Sequence, residues 1–368
     1  MRILLLGEYS NVHNGLSEGL KKLGHDVCVI SDGDGWKKYH CDIDISRKSV
    51  KFFDSLRYIV KIRKVIHSIR DYDIVQIINP MFLELRAERI KPYYEFIRKH
   101  NKKVVLGAYG MDYYWVKTCL DCKTFRYSDF NFGSNPRTNE YFNKEYIKDW
   151  IDGEKGILNK YIANDCDGIV CGLYEYYKCY NPVFPQKSAF IPFPINTNGT
   201  EIRSHRYKTN APIRFFIGIQ KNRHKYKGTD IMLRALERVK NEFPDRCEII
   251  KAESVPFEKY KTMLDSADVL LDQLYSYTPG MNGLLAMSKG IVLVGGGEEE
   301  HYELLHEESL RPIINVLPNE DDVYCKLKEM VINPSIIDKL SQESVQYIHK
   351  HHNYIKVAEE YIRFWNSL

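Results

Sequence analysis

The sequence has no long hydrophobic run, and this absence limits what the chain can be. No stretch approaches the roughly 18 consecutive apolar residues that a membrane-spanning helix needs. The apolar start at residues 1–6 is short and lacks the hydrophobic core and cleavage site of a signal peptide, so it predicts a first buried strand. We therefore expect a cytoplasmic protein.

Sequence signals of several other protein classes are missing as well. There is no zinc-finger spacing, basic tail or aromatic–basic RNA motif, so the net charge of +4 does not indicate nucleic-acid binding. Gly7 and Gly15 are too far apart for the dinucleotide fingerprint, which disfavours NAD. The nine cysteines are irregularly spaced and predict reduced thiols, and Cys119-x-x-Cys122 has no second pair to complete a zinc site.

Paired acidic residues are the only other metal signal. Asp32/Asp34 and Asp42/Asp44 each supply two carboxylates, and two carboxylates alone bind Mg²⁺ weakly. Glycines around the first pair indicate a turn. We predict no metal and no resident cofactor.

Apolar runs alternate with helical periodicity along most of the chain. The pattern predicts an α/β fold with doubly wound parallel sheets, and 368 residues suit two domains. A stretch at 108–140 breaks the rhythm, and the proline-rich segment 192–199 is typical of a linker. Strands are predicted near 2–6, 26–31, 73–78, 103–106, 168–171, 188–191, 213–217, 246–251, 267–272, 291–294 and 313–316. Helices are predicted near 12–24, 50–70, 84–99, 143–165, 228–243, 256–265, 280–289, 320–332, 334–349 and 354–368.

The most informative segment joins the strand at 213–217 to the helix that begins near Gly228. After Gly218 comes a polar loop that carries five cations, counting His224 in its protonated form; the others are Lys221, Arg223, Lys225 and Lys227. A helix N-terminus offers unpaired N–H groups and the positive end of the helix dipole, and cations beside it favour a diphosphate. The segment predicts a phosphate-binding loop, and the alternative is a solvated basic loop.

Strand, glycine, basic loop, Lys227-Gly228 and amphipathic helix together resemble the donor-diphosphate loop of family-4-like retaining glycosyltransferases with the GT-B fold. The resemblance implies two Rossmann-like, doubly wound parallel-sheet domains that face a central cleft. It implies that residues 1–195 form the acceptor-side domain, with the C-terminal helix at 353–368 packing back on it. Residues 196–352 would bind the nucleotide sugar, with Arg223 and Lys227 on its diphosphate.

A second match lies at 267–290. Ala-Asp-Val-Leu-Leu-Asp, a glycine-containing turn and the helix with Ala286-Met287 and Gly290 resemble the strand, turn and helix of the same family. The turn opens a helix, so its N–H groups suit a phosphate or a sugar hydroxyl. The resemblance implies donor contacts by Tyr277, Thr278, Pro279, Gly280, Met281, Asn282 and Gly283.

The chain departs from this family at two positions. Leu285 and Tyr277 stand where the family carries glutamates that hold the ribose and the donor sugar, and leucine cannot accept a hydrogen bond. Three hypotheses remain. A nearby glutamate substitutes (Glu298, Glu299 or Glu300), Tyr277 holds the donor differently by stacking or hydrogen bonding, or the protein is inactive as a transferase. Glu253 follows another strand and would meet the base, or else it is a charge near a helix start.

Two loops of the first domain resemble the acceptor side of these enzymes. The loop after the first strand implies acceptor contacts by Glu8, Tyr9, Ser10 and His13. His13 is a candidate proton carrier, and the alternative is a polar helix start. Asp112 would orient a sugar hydroxyl at the catalytic centre, or it is a turn residue.

Residues 47–70 contain eight lysines or arginines, one acid and a series of apolar residues at helical spacing. A basic amphipathic helix of this kind can rest on an anionic membrane. The alternative is a Rossmann helix with a solvated basic face. Peripheral contact with the inner face of an anionic membrane through residues 47–70 is therefore one of the two hypotheses for this helix.

These features together imply a hexosyltransferase-type glycosyltransferase. It would move a sugar from a UDP or GDP sugar to a saccharide or lipid-linked acceptor with retention, in the synthesis of cell-surface polysaccharide. The alternatives are a catalytically degenerate sugar- or nucleotide-binding protein and a GT-B nucleotide-sugar epimerase. A pyridoxal-binding lysine motif, which would indicate a phosphorylase, is absent.

Overall fold

The computed structural model describes residues 1–198, 211–220 and 224–368. Its contacts divide the chain into two compact units. The first unit comprises Met1–Thr118, Glu145–Asn196 and Tyr354–Leu368. The second comprises Cys119–Lys144 and Thr197–Asn353.

The strands of the described residues are numbered β1 to β15 in chain order. They are β1 Arg2–Leu6, β2 Asp26–Ser31, β3 Ile43–Asp44, β4 Ile74–Ile77, β5 Lys103–Ala108, β6 Tyr127–Ser128, β7 Asn131–Phe132, β8 Asn135–Pro136, β9 Gly168–Cys171, β10 Ser188–Phe190, β11 Ile213–Ile219, β12 Cys247–Glu253, β13 Val269–Leu271, β14 Val292–Gly295 and β15 Ile314–Asn315.

The α-helices are numbered in the same way. They are α1 Val12–Lys22, α2 Phe52–Ser68, α3 Ala87–His100, α4 Tyr113–Cys119, α5 Tyr141–Trp150, α6 Glu154–Asp165, α7 Tyr174–Tyr180, α8 His224–Lys227, α9 Thr229–Glu242, α10 Phe257–Asp265, α11 Met281–Ser288, α12 Glu299–Leu304, α13 Glu320–Ile332, α14 Ser335–Tyr347 and α15 Tyr354–Ser367. A π-helical turn at Ile348–His352 joins α14 to α15.

Both large sheets are parallel, as the alternation of strands and helices predicts. The first unit holds seven strands in the order β10-β9-β5-β4-β1-β2-β3, and the second holds five in the order β12-β11-β13-β14-β15. The central strands are mostly apolar because helices cover both of their faces, and Gln76 of β4 is a buried polar exception. In β1, for example, Ile3, Leu4, Leu5 and Leu6 are fully buried.

Helix α15 completes the first unit by packing on α1. The approach is close, because a Cβ placed on Gly19 of α1 would lie 2.2 Å from the carbonyl oxygen of Tyr354. Deeper in the same unit, the hydroxyls of Tyr361 in α15 and Tyr109 share a hydrogen bond of 2.5 Å. The C-terminal helix is therefore part of the first unit's core.

One predicted boundary is wrong. Residues Cys119–Lys144, assigned from the sequence to the first domain, cluster with the second unit. They include β6, β7 and β8, which form a small antiparallel sheet in a stretch predicted to be irregular. We call Cys119–Lys144 the inserted segment. Strands of two residues carry no periodicity, which is why the sequence did not reveal them.

Several local predictions also need correction. The helix predicted at 143–165 is two helices, separated at Asp152-Gly153, where a Cβ on Gly153 would lie 2.6 Å from the carbonyl of Asp149. Helices α4, α7, α8 and α12 were not predicted. His351 and His352 follow α14 near the end of the chain, where helical periodicity alone predicts a solvated terminus. Both are largely buried, and the Nε2 of His351 lies 2.6 Å from an oxygen of Glu307.

Within the described residues, no helix combines the length and the apolar character needed to cross a membrane. All nine cysteines lie in the described ranges, and each is a free thiol. Five of them are buried, in line with the expectation of reduced, mostly buried thiols.

Candidate functional site

Most of the predicted donor residues lie at one edge of the second unit's sheet. Strands β11, β13 and β14 are neighbours, and their carboxyl ends lead into the loops that carry these residues. In parallel sheets, ligands bind at this edge. The N–H of Leu274, in the loop after β13, donates to the carbonyl of Lys227, in the loop after β11, at 3.1 Å. The two segments predicted separately as donor loops are therefore adjacent.

The basic loop ends in a tight turn at Gly228. Lys221 and Arg223 lie outside the described residues, whereas Lys227 is half-buried at the end of α8. Gly228 has φ of 73° and directly precedes α9. A Cβ at this position would lie 2.9 Å from the Cβ of Leu274, so both the backbone conformation and the packing require glycine. This turn sets where α9 begins.

The turn after β13 leads into helix α11. The hydroxyl of Ser276 donates to the carbonyl of Thr278 at 2.5 Å, which tightens the turn, and Gly280 precedes the first helical residue. The first N–H groups of a helix have no acceptor within it. In α11 these belong to Met281, Asn282 and Gly283.

The side chain of Asn282 is held by the protein itself. Its amide donates to Asp272 at 3.1 Å, and its oxygen accepts the hydroxyl of Tyr260 at 3.1 Å. Asn282 can therefore serve a ligand through its backbone N–H more readily than through its side chain. Pro279 is buried beside it.

The inserted segment contacts the same edge through Tyr277. The backbone N–H of Arg126 donates to the Tyr277 hydroxyl at 2.7 Å, and the Arg126 guanidinium lies 4.9 Å from the ring centroid. The ring of Tyr127 packs at a centroid distance of 5.0 Å. Tyr277 is consequently buried, and this burial raises its pKa.

Glu298, the foremost substitute for the missing family carboxylate, is engaged by the same segment. One oxygen accepts a hydrogen bond from Arg126 at 2.8 Å, and the other accepts the hydroxyl of Tyr127. Arg126 also pairs with Glu300. The side chain of Glu298 is only 11% exposed, whereas that of Arg126 is 55% exposed. Tyr277 and Glu298, the two residues proposed to replace the family glutamates, are thus both hydrogen-bonded to Arg126.

A second arginine of the inserted segment reaches the loop after β11. Arg137 donates to the carbonyl of Lys225 at 3.0 Å, and its guanidinium lies 3.4 Å from the ring centroid of Tyr275. The hydroxyl of Tyr226 donates to Asp129 at 2.6 Å. The inserted segment therefore contacts all three loops at this edge.

Sequence reasoning missed Arg126 and Arg137 entirely. No motif marks them, and Arg126 meets a carboxylate 172 positions further along the chain. Only the clustering of aromatic and basic residues at 125–127 hints at a packed segment rather than a solvated loop.

The remaining donor candidates lie on or beside β11 and β12. Gly218 is within β11, where a Cβ would lie 2.8 Å from the ring of Tyr260. Glu253 ends β12, and one of its oxygens lies 3.2 Å from the Nζ of Lys251. Leu285, the departure from the family pattern, is half-buried in α11. Glu253 lies at the carboxyl end of its strand, and its contact with a base stays a prediction.

In the first unit, Glu8 and His13 are buried at the start of α1. Glu8 accepts the backbone N–H of Asn14 at 2.8 Å and that of His13 at 3.3 Å, and burial raises its pKa to about 7. The His13 Nδ1–H donates to the carbonyl of Gly7 at 2.7 Å, and Nε2 lies 3.3 Å from the amide nitrogen of Gln76. Burial lowers the pKa of His13 to about 4.

These contacts favour the second of the two interpretations of His13, a polar helix start. A fully buried, neutral imidazole with both nitrogens engaged does not present a surface to an acceptor, so the helix-start alternative describes it better. Tyr9 and Ser10 are partly exposed. The N–H of Ser10 donates to Asp34 at 2.9 Å, and its hydroxyl accepts from Lys37 at 3.0 Å. Only Tyr9 and Ser10 keep accessible surface among the acceptor candidates.

Asp112 likewise differs from its predicted role. Its carboxylate is fully buried, accepts the N–H of Trp115 at 2.8 Å and the hydroxyl of Tyr180 at 2.8 Å, and caps helix α4. Burial raises its pKa to about 7. The turn alternative therefore fits Asp112 better than direct contact with substrate.

Neither unit offers a metal centre within the ranges that the structure describes, where no three His, Cys, Asp or Glu side chains group suitably. The positively charged groups at this edge of the second unit are instead Lys227, Arg126 and Arg137, together with the N-terminal end of α11.

No family model and no curated protein matches the sequence. The fold matches many solved structures. Sucrose-phosphate synthase from Thermosynechococcus elongatus is 12% identical with a TM-score of 0.64, covering 100% of this chain and 98% of that one. HepE from Anabaena, in complex with UDP and glucose, is 11% identical with a TM-score of 0.59 and full coverage of both chains.

WaaG, a glycosyltransferase involved in lipopolysaccharide biosynthesis, is 11% identical with a TM-score of 0.57, covering 98% of this chain and 99% of that one. The matches also include the UDP-GlcNAc 2-epimerase from Neisseria meningitidis bound to UDP-GlcNAc, with a TM-score of 0.54. The predicted α/β architecture with two Rossmann-like units is confirmed as the GT-B fold.

Proposed function

We propose that this chain is a glycosyltransferase that moves a sugar from a UDP or GDP sugar to a saccharide or lipid-linked acceptor. The observation that carries the proposal is the hydrogen bond from Leu274 to the carbonyl of Lys227. It joins the end of the basic loop to the segment that leads into α11. A cation and the first N–H groups of a helix therefore lie at the same edge of the second unit's sheet. A diphosphate matches that combination.

The proposed chemistry places these groups where charge develops. When the bond between sugar and phosphate breaks, negative charge grows on the leaving nucleoside diphosphate. Preorganised cations and N–H donors stabilise such charge strongly. Lys227, with Arg223 from the same loop and the N–H groups of residues 281–283, would provide this stabilisation without a metal. We extend the proposal to a retaining hexosyl transfer in the synthesis of cell-surface polysaccharide.

The proposed location of the enzyme in the cell follows from the lipid-linked acceptor. A lipid-linked acceptor would be met at the inner face of a membrane, so we propose a cytoplasmic enzyme with peripheral membrane contact. The relatives of this fold that carry UDP or UDP-GlcNAc support the nucleotide class of the donor.

Nucleotide binding is the first test. UDP and GDP are titrated by calorimetry into the protein, into Lys227→Ala and into Arg223→Ala/Lys227→Ala. We expect either UDP or GDP to bind, and we expect the loss of each cation to lower the binding affinity at least several-fold. Lys259→Ala is the matched control, because Lys259 is an exposed lysine on α10 of the same unit. Absence of binding at millimolar nucleotide, or binding that survives the double substitution, contradicts the donor site.

Transfer is separated from epimerisation by the acceptor. A screen of UDP and GDP sugars is read for free nucleotide, with and without cell-envelope saccharides or lipid-linked sugars. A transferase releases nucleotide in proportion to the acceptor added, whereas an epimerase alters the sugar without needing an acceptor. The anomeric configuration of the product, measured by NMR, tests retention.

A degenerate, nucleotide-binding protein is the second candidate. The observation that favours it is that Tyr277 and Glu298, the two side chains proposed to replace the family carboxylates, both bind the inserted segment. Tight UDP or GDP binding together with no turnover across the donor screen would select this candidate.

A further inference from the structure

Exposed apolar side chains are concentrated at the start of helix α2. Of the twelve large apolar side chains that are exposed in the described ranges, five lie between residues 50 and 60. Isolated exposed apolar residues are ordinary on protein surfaces, but a contiguous group marks a contact surface. The five, with their exposed fractions, are Val50 (84%), Phe52 (76%), Phe53 (73%), Leu56 (52%) and Val60 (62%).

Helix α2 has two apolar faces, and the fold uses one of them. Tyr58, Ile62 and Ile66 recur at intervals of four and are buried in the first unit. Phe53, Leu56 and Val60 recur at intervals of three and four on another face, which is turned to solvent. Packing of the first unit therefore does not account for the second apolar face.

Exposed cations are interleaved with this second face. The exposed basic residues of the region are Lys48, Lys51, Arg57, Arg63, Lys64 and Arg70. The single acid of the helix, Asp54, accepts the hydroxyl of Ser49 and lies 3.9 Å from Arg57. In the part of the chain that the structure describes, no acidic side chain pairs with Lys48, Lys51 or Lys64. The surface therefore combines exposed apolar side chains with interleaved exposed cations.

We propose that the surface formed by residues 48–64 docks on an anionic lipid bilayer. An amphipathic helix of this composition lies in the plane of the interface, with its apolar side chains at the boundary between headgroups and acyl chains. Lysines and arginines beside it are attracted to the negative leaflet. Phe52 and Phe53 are the deepest anchors, and the lysines meet lipid phosphates.

Charge complementarity selects the bilayer over a second copy of this chain. A symmetric dimer through this face would bring the same cations against one another, and like charges across an interface are costly. An anionic surface neutralises the cations and accepts the apolar side chains at once. This inference rests on the peripheral membrane contact of the proposed function and names its surface, but it does not depend on the donor site in the second unit.

Flotation with vesicles tests the proposal on the full chain. Vesicles of phosphatidylcholine alone are compared with vesicles that also contain phosphatidylglycerol. We expect the protein to float with the anionic vesicles only. Raising the salt from 0.1 M to 1 M shortens the Debye length from about 10 Å to about 3 Å, so most of the protein should leave the vesicles.

Paired substitutions separate the two components of the surface. Phe52→Ser/Phe53→Ser removes the anchors and Lys48→Gln/Lys51→Gln removes two cations, and each should weaken binding on the order of tenfold or more. Ile157→Ser and Ile332→Ser are matched controls, because these isoleucines are comparably exposed outside this surface. All substituted side chains are exposed, so circular dichroism should be unchanged.

Four results would overturn the proposal: no flotation with either vesicle, equal flotation with both, substitutions on α2 that act no more strongly than the controls, or a lipid-free dimer that Phe52→Ser/Phe53→Ser abolishes. The last would make this face an interface between copies. Titration of the same variants with UDP should give unchanged affinity, so failure of membrane docking and failure of the donor site are read separately.

Discussion

Replacement of Gly228 by alanine tests the geometry on which the candidate donor site depends. Gly228 has φ of 73°, a conformation that costs an L-residue roughly 1–2 kcal/mol. The new methyl would also lie 2.9 Å from the Cβ of Leu274 and 3.0 Å from its Cδ1. Leu274 is fully buried and cannot move freely.

The two costs add to a predictable loss. Overpacking a well-filled core costs about 1–3 kcal/mol. With the backbone strain, we expect Gly228→Ala to lose about 3 kcal/mol in the second unit. In urea this lowers the unfolding midpoint by roughly 1–3 M. Gly24→Ala is the control, because Gly24 has φ of 82° but a Cβ there would meet nothing within 4 Å, so only about 1 kcal/mol of strain is expected.

The positions of the tryptophans allow each unit to be followed. All four, Trp36, Trp115, Trp150 and Trp365, belong to the first unit. Circular dichroism reports both units, whereas tryptophan fluorescence reports the first. Gly228→Ala should shift the transition seen by circular dichroism much more than the one seen by fluorescence, and Gly24→Ala should shift the fluorescence transition.

The same substitution should also weaken UDP binding, because the turn at Gly228 sets the start of α9. The reasoning is refuted if Gly228→Ala costs no more than Gly24→Ala. It is refuted equally if Gly228→Ala is strongly destabilised yet binds UDP as tightly as the unaltered protein while still folded. The first result would deny the packing argument, and the second would deny the role of the turn.

Three further predictions concern single contacts. Arg126→Ala removes the cation that pairs with Glu298 and Glu300 and so makes this edge more negative. UDP should therefore bind several-fold more weakly at low salt, with a smaller difference at high salt; equal affinities at low salt by calorimetry would contradict this. Burial raises the pKa of Asp112 to about 7, so the fold favours its protonated form and the unaltered protein should lose stability as the pH rises from about 4 to 7. Asp112→Asn should remove this loss, so from pH 5 to pH 8 its free energy of unfolding should gain a few kcal/mol relative to that of the unaltered protein. Denaturation at the two pH values measures this, and an unchanged difference would refute it. Gly19→Ala places a methyl 2.2 Å from the carbonyl oxygen of Tyr354 and should lower the free energy of unfolding followed by fluorescence by about 2 kcal/mol or more; an unchanged fluorescence transition would contradict this.

Much of the fold was predictable because parallel strands buried on both faces must be apolar throughout. Strand β11 and helix α9 illustrate this, since a continuous apolar run ends at a polar loop and a helical period begins after Gly228. Helix α13 occupies the residues predicted for it, and the side chain of Asn319 caps it by accepting the N–H of Asp322. Local composition decides such elements, so one sequence suffices to place them.

The candidate site was only partly predictable. The turn at Gly228 and the start of α11 follow from local pattern, and their adjacency follows from strand order. Arg126 does not, because its partners Tyr277 and Glu298 are remote in sequence and its strand neighbours are two residues long. His13 and Asp112 look functional in sequence, yet burial assigns them to the framework.

The sequence by itself determined the α/β class, the two series of strands and helices and the two loops suited to a diphosphate, since each depends on neighbouring residues. Only the tertiary structure decided which polar side chains face solvent, that the inserted segment packs on the second unit, and that Phe52 and Phe53 lie exposed. Those outcomes depend on which surfaces meet in the folded chain, and periodicity carries no information about contacts between distant residues.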